Sequence, residues 1–337
     1  MVKPTHADSP ATSGAQRRRT LAMRTLSSLL GARPDSRAAV SAAPGRAGQH
    51  RPTRRGLGIW ALEVGKYLLL IVLSISFILP LYWMAMSALK NPWQVYAIPP
   101  IWFPVPPRWS NYWEAWHVDT FDLYALNTVL RYALPVTLGS VLSNAIVAYG
   151  FSRLRWPGRD LLFSICLATM MIPGQVTMVP VFIIFKHLGW VNSYKPLVVP
   201  AYFANAYTVF MLRQFFRTIP TELSDAARID GAGEFTIMWR IILPLVKPAL
   251  AVVALFAFMG AWNDYMGPLI YINNTKLYPL TMGLARLNAS LGQVGIKDLA
   301  YPYLMAVSTI VTLPTVLIFF FAQRTFIEGI ALTGLKG

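Results

Sequence analysis

Long stretches free of Lys, Arg, Asp and Glu alternate along this chain with short charged segments. A helix needs about 20 mainly apolar residues to cross ~30 Å of hydrocarbon, because every backbone amide must be satisfied inside its own segment. Six stretches meet or approach that length: Tyr67 to Leu89, Tyr132 to Ser152, Leu161 to Phe185, the shorter Pro196 to Leu212, Pro248 to about Ile272 with the single acid Asp264, and Leu299 to Gln323. The pattern predicts an all-α membrane protein with six transmembrane helices.

A different pattern occupies the roughly 35 residues from Arg213 to Lys247, too many for a mere connector. Pro220 suits a first helical turn, and Glu222 and Asp225 place negative charge near the positive end of a helix dipole. Leu223, Ala226, Ala227 and Asp230 share one side of that helix and give it little bulk, and Gly231 ends it as a left-handed cap. Phe235, Met238, Trp239 and Ile242 then recur at i, i+3, i+4 and i+7, predicting a second amphipathic helix that stops at Leu243 before Pro244. Together the two helices form an elbow on the membrane surface.

Composition agrees with the membrane reading. Of 337 residues, 55% are hydrophobic and 13% charged, and the formal net charge is +16 with a mean hydropathy of +0.47. A basic soluble chain would suggest nucleic acid; an apolar one suggests basic loops held on the cytoplasmic side. About a dozen cations precede Tyr67, Arg153, Arg155 and Arg159 follow the second span, and Arg213, Arg217, Arg228, Arg240 and Lys247 follow the fourth, so both termini are expected in the cytoplasm. Arg131, near the start of the second span, is expected to snorkel to the outer interface. Residues 1–57, rich in Ala, Ser, Gly, Pro and Arg, read as a disordered basic cytoplasmic tail. The Trp-rich segment from Asn91 to about Asp122 reads as an interfacial anchor on the outer side, which a partner could also use for docking.

The elbow resembles the coupling-loop signature of binding-protein-dependent ABC importer permeases. The run Ser224 to Ala232, followed by Ile241, Ile242, Leu243, Pro244 and Pro248, carries the likeness, with Asp225 where the family usually has Glu. Arg153 to Leu162 (RLRWPGRDLL), Met171 to Val181 (MIPGQVTMVPV), Trp262 to Ile270 (WNDYMGPLI) and Gln323 to Gly337 (QRTFIEGIALTGLKG) are similar to the maltose-type second permease subunit. The resemblance implies a type I ABC importer permease fold over residues 58–337 with a coupling loop at about 213–247. It also implies a bacterial or archaeal cytoplasmic membrane, a second permease subunit, a dimer of ATP-binding subunits that holds ATP and Mg, and an extracytoplasmic solute-binding protein. Glu222, Asp225, Ala226, Ala227, Asp230 and Gly231 are the expected coupling residues. The implied function is passage of a mono-, di- or oligosaccharide by alternating access. Glycerol 3-phosphate or a polyol derivative is the alternative substrate, and an ion-coupled secondary transporter the rival mechanism.

An acid inside a span normally faces a cavity or a partner, so Asp264 with Asn263 and Tyr265 marks a candidate substrate pathway. Met170, Met171, Pro173, Gly174, Gln175 and Pro180 predict a break in the third span, with Gln175 a further pathway candidate. No catalytic site, metal cluster, nucleic-acid site or resident cofactor is read. The four histidines lie far apart, Cys166 is alone, and Gly65-Lys66 lacks the phosphate-loop pattern, with Trp60 and Tyr67 where glycine and a hydroxyl residue are required.

Overall fold

In a computed structural model, residues 55–290 and 300–334 are described, with side chains over 60, 62–290 and 300–323. The tail expected over residues 1–57 lies outside the described residues as far as residue 54. Most of the C-terminal motif 323–337 lies outside the described side chains. By internal contact the chain divides into Met1–Gly65 and Lys66–Gly337, and the architecture below is that of the second unit.

All regular structure among the described residues is helical. In chain order the main helices are α1 (Arg55–Ala88), α2 (Ser110–His117), α3 (Phe121–Ser152), α4 (Arg159–Thr169), α5 (Gly174–His187) and α6 (Ala206–Thr218). There follow α7 (Glu222–Ile229), α8 (Glu234–Leu245), α9 (Lys247–Asn263), α10 (Met266–Tyr271), α11 (Leu280–Ser290) and α12 (Ala300–Gly334). Three of them are long and apolar enough to cross a membrane, or up to five spans exist if each of two sharply bent pairs counts as one.

Leu68, Ile71, Ile75, Phe77 and Ile78 of α1 are each more than half exposed. In water an apolar face of that extent costs roughly 25 cal/mol per Å², so this helix requires lipid or another subunit as its solvent.

The expected break in the third span is a 98° bend between α4 and α5. Pro173 is extended there, with ψ 131°, and supplies no amide proton to continue the helix. The fourth expected span, Pro196 to Leu212, is likewise not one helix. It runs through a turn at Lys195–Val198 and a 3-10 segment at Val199–Phe203, reverses at Ala204 with φ +62°, and resumes at α6. Backbone groups freed at such a break need partners, and α3 supplies them. Ser143 Oγ donates to the Ala201 carbonyl at 2.9 Å and accepts from Ala204 N–H, while Asn144 Oδ1 accepts from Asn205 N–H at 2.7 Å. Asn205 in turn caps α6, accepting from the amides of Tyr207 and Thr208.

Two helices pass prolines, one inside the expected second span and one, Pro244, that the sequence reading treats as a boundary. The second expected span begins at Phe121 rather than Tyr132, and α8 continues beyond Leu243 through Pro244 to Leu245. In both places a π-helical segment, Asn127–Ala133 or Ile237–Ile242, ends one residue before a Leu-Pro pair. The wider turn accommodates the missing amide proton and relieves the clash of the proline ring with the preceding turn, so the helix goes on.

Packing concentrates at the two ends of the bundle. At the elbow end, Ala148 and Tyr149 of α3, Leu212 and Phe216 of α6, Ala227 of α7, and Ile237, Met238, Ile242 and Leu243 of α8 share one buried cluster. At the other end, Phe121, Tyr124, Trp262, Leu287, Tyr303 and Val307 form a second. Lys90, which follows α1, is 1% exposed, with Nζ 3.7 Å from the Trp83 ring centroid.

Candidate functional site

The elbow is held by a complete helix cap. Ala232 N–H donates to the Ala227 carbonyl at 2.9 Å and Gly231 N–H to that of Arg228 at 3.0 Å, the paired bonds of a Schellman motif. Gly231 sits at φ +81°, where a side chain is strained even though open space surrounds its α-carbon.

Charge fixes the corner. Arg228 donates from Nε to Glu234 Oε1 and from a terminal nitrogen to Asp225 Oδ1, each at 2.7 Å. The Tyr149 hydroxyl donates to Glu234 Oε2 at 2.7 Å, tying α3 to the start of α8. These bonds hold the Glu234 carboxyl below the usual carboxylate range and raise the Arg228 guanidinium, burial opposing both. From the other side Arg153 donates to the carbonyls of Phe216, Ile219 and Pro220, closing the C-terminus of α6 with a cation.

The six expected coupling residues divide by exposure. Glu222, Asp225, Ala226, Asp230 and Gly231 are exposed, whereas Ala227 is 8% exposed and belongs to the chain's own core, next to buried Ser224. The outward face gains Ile229, an 87% exposed aliphatic side chain that the sequence reading passed over. Ile229 follows Ala226 at i+3, so the spacing was present in the sequence but its apolar bulk was assigned to no face.

The expected pathway residues are not brought together with Gln175. Asn263, Asp264 and Tyr265 lie at the junction of α9 and α10, and Gln175 is exposed on α5. Asp264 uses both carboxylate oxygens inside the bundle: one accepts from the Tyr132 hydroxyl and the other from Gly267 N–H at 3.0 Å. Its carbonyl accepts from Thr281 at 2.7 Å, so one residue links α3, α9, α10 and α11. Gly267 is tight against it, since a Cβ there would collide with the Asp264 carboxylate and with Leu197. Asn263 donates to the Met259 carbonyl of its own helix.

A cleft of about 530 Å³ opens instead beside the broken segment before α6. Val136, Ser140 and Asn144 of α3, Asn205, Tyr207, Thr208 and Met211 around the start of α6, and Val253, Phe256 and Ala257 of α9 line it, together with Pro200, Ala201 and Ala204. Its polar groups are amides and hydroxyls, and no lining residue is charged. The sequence offered a weak signal for it, three small polar residues (Ser140, Ser143 and Asn144) within one apolar stretch. Among the described residues no group of His, Cys, Asp and Glu is placed to hold a metal ion.

Comparison with known proteins places these features. The chain is 30% identical to the sn-glycerol-3-phosphate transport system permease protein UgpE of Yersinia enterocolitica, over 82% of this chain and 97% of that one. It is 32% identical to the diacetylchitobiose uptake system permease protein NgcG of Streptomyces coelicolor, over 76% and 83%. A solved bacterial ABC transporter involved in the import of the acidic polysaccharide alginate superposes with a TM-score of 0.71 at 22% identity, over 78% of this chain and 96% of that one, and so shares its fold. Residues 136–331 match the family of binding-protein-dependent transport system inner membrane components, which takes in the cleft, the Asp264 junction and the capped elbow, and the chain belongs to that family of multi-pass ABC importer permeases.

Proposed function

We propose that this permease subunit carries a neutral carbohydrate, in company with a second permease, a pair of ATP-binding subunits and an extracytoplasmic solute-binding protein. The observation that carries the substrate class is the uncharged cleft of about 530 Å³, whose amides and hydroxyls match sugar hydroxyls. Apolar walls with a few polar groups are the usual make-up of a small-molecule site. The diacetylchitobiose relative supports this reading. The glycerol 3-phosphate relative favours a phosphorylated polyol, but a phosphate would call for a cation, and none lines the cleft.

In this reading the elbow lies in the cytoplasm with both termini, and residues 58–337 form the permease domain. The exposed face of Glu222, Leu223, Ala226, Ile229 and Asp230 meets the ATP-binding subunit, which holds ATP and Mg. The Schellman cap and the Arg228 pairs make α7 and α8 move together, so closure of the ATPase is transmitted to α3 and α9 as a rigid-body tilt. Asp264 latches the broken span rather than touching sugar.

Reconstitution of the assembled transporter with labelled oligosaccharide and labelled glycerol 3-phosphate tests the proposal. ATP-dependent uptake of the sugar alone is expected, and Thr208→Trp, which fills the cleft, should abolish it with ATP binding intact. Preference for glycerol 3-phosphate, or uptake by this chain without an ATPase, would overturn it.

A further inference from the structure

A second, larger cleft, about 1140 Å³, lies at the elbow end between the loop after α3 and the start of α7. Six arginines line it: Arg153, Arg155, Arg159, Arg213, Arg217 and Arg228, facing the acids Asp160, Asp225 and Glu234. The acids are already engaged. Arg228 takes Asp225 and Glu234, and Arg159 takes Asp160 at 3.0 Å with Arg213 at 3.7 Å. The lining therefore keeps an excess of three positive charges, and among the described residues neither Arg155 nor Arg217 has a carboxylate within ion-pair distance.

Unused hydrogen-bonding capacity accompanies the charge. Ser224 is 2% exposed and lines the cleft, yet its hydroxyl has no partner among the described residues; Arg153 Nε, of another lining residue, is buried and likewise unpartnered among them. A buried donor left unsatisfied costs about 1–3 kcal/mol, and guanidinium forks match phosphate oxygens in pairs. Trp156 borders the same space, an indole of the kind that settles at headgroup depth.

We propose that this cleft binds a phosphate-bearing anion, the phosphodiester of an anionic lipid headgroup or free phosphate, between the loop at 153–160 and the coupling helix α7. The anion draws the two walls together and sets how freely α7 moves. The proposal concerns this chain's own arginines and stands apart from the identity of the transported solute.

The test uses the full chain in nanodiscs of phosphatidylcholine with or without phosphatidylglycerol, comparing wild type with R155Q/R217Q. Both arginines are exposed and have no ion-pair partner among the described residues, so the double variant should fold, and an unchanged melting temperature in phosphatidylcholine confirms that it does. Native mass spectrometry should find phosphatidylglycerol retained over phosphatidylcholine by the wild type. The double variant should lose that preference by about tenfold or more, the equivalent of one charge-assisted hydrogen bond. Titration with inorganic phosphate in neutral discs separates the sources: stabilisation of the wild type alone assigns free phosphate, and no response beside lipid retention assigns the headgroup. Equal retention by both proteins with no response to phosphate would overturn the proposal. So would loss of the anion when the ATP-binding subunits assemble on the wild type, because a carboxylate of that partner would then own the cleft.

Discussion

Tyr149 and Glu234 are 85 positions apart in the chain, yet the phenol donates to the carboxylate at 2.7 Å. That bond joins a membrane-crossing helix to the elbow, and Arg228 of α7 donates to the same carboxylate at the same distance. The Glu234 carboxylate thus joins side chains of α3 and α7.

Tyr149→Phe keeps the ring in its buried place and removes only the hydroxyl. A hydrogen bond to a charged group contributes about 1.5–3 kcal/mol, so thermal unfolding of the reconstituted protein should fall by several degrees. Fewer solute molecules should also cross per ATP hydrolysed. Unchanged melting together with an unchanged transport-to-hydrolysis ratio would remove the bond from the coupling path.

Gly231→Ala meets no atom but must hold φ +81°. The strain is about 1–2 kcal/mol, relieved by loosening the cap. Uptake should drop while membrane insertion and yield stay near wild type, and hydrogen exchange at the amides of Gly231 and Ala232 should quicken. Slow exchange at both amides in the variant would show the cap intact and the role misassigned.

Asp264→Ala leaves Tyr132 and the Gly267 amide without their acceptor. The expected loss is in assembly and thermal stability, about 2–4 kcal/mol for a broken buried network, with the KM for solute unchanged in the molecules that fold. A raised KM with unaltered melting would return Asp264 to the substrate path.

Acid should loosen the elbow. Glu234 is held below the usual carboxylate range by Arg228, so its contribution is fully present above the unfolded value near 4.5 and is lost as pH falls through the lower folded value. The pair is half exposed and worth ~0–1 kcal/mol, which predicts a drop on the order of 1–3 °C, abolished by Glu234→Gln, as pH is lowered from 7 to below the folded value. An identical pH dependence in wild type and variant would rule this out.

The elbow was largely legible in the sequence because its determinants are local. Pro220, the acids of the first turn, Gly231 and the i, i+3, i+4, i+7 apolar series act within a few residues of one another, and the cap falls at Gly231 as they set it, while α7 begins at Glu222, two residues after Pro220, and α8 runs two residues past Leu243. The span count was read from runs of apolar residues, which register solvent but not continuity. Pro173 announced its break, whereas the reversal at Ala204 depends on Ser143 and Asn144, about 60 positions earlier, to satisfy the freed amides. The boundary at Leu243-Pro244 misled for the opposite reason, since a π turn upstream relieves the clash that proline would otherwise impose. Asp264 announced itself as costly in a membrane, but sequence gives no means of knowing that Tyr132 and Gly267 already occupy it. The uncharged cleft was invisible because it is assembled from α3, α6 and α9, and no local spacing brings these together.

The two π-helical segments each house a surplus residue, and this sets where the chain tolerates a change of length. Deleting one residue at Val129 or Trp239 would tighten the wide turn into an ordinary one and leave the downstream register intact. The same deletion at Ala148 has no slack to draw on; it would rotate the following turn by about 100° and carry a fully buried face into lipid.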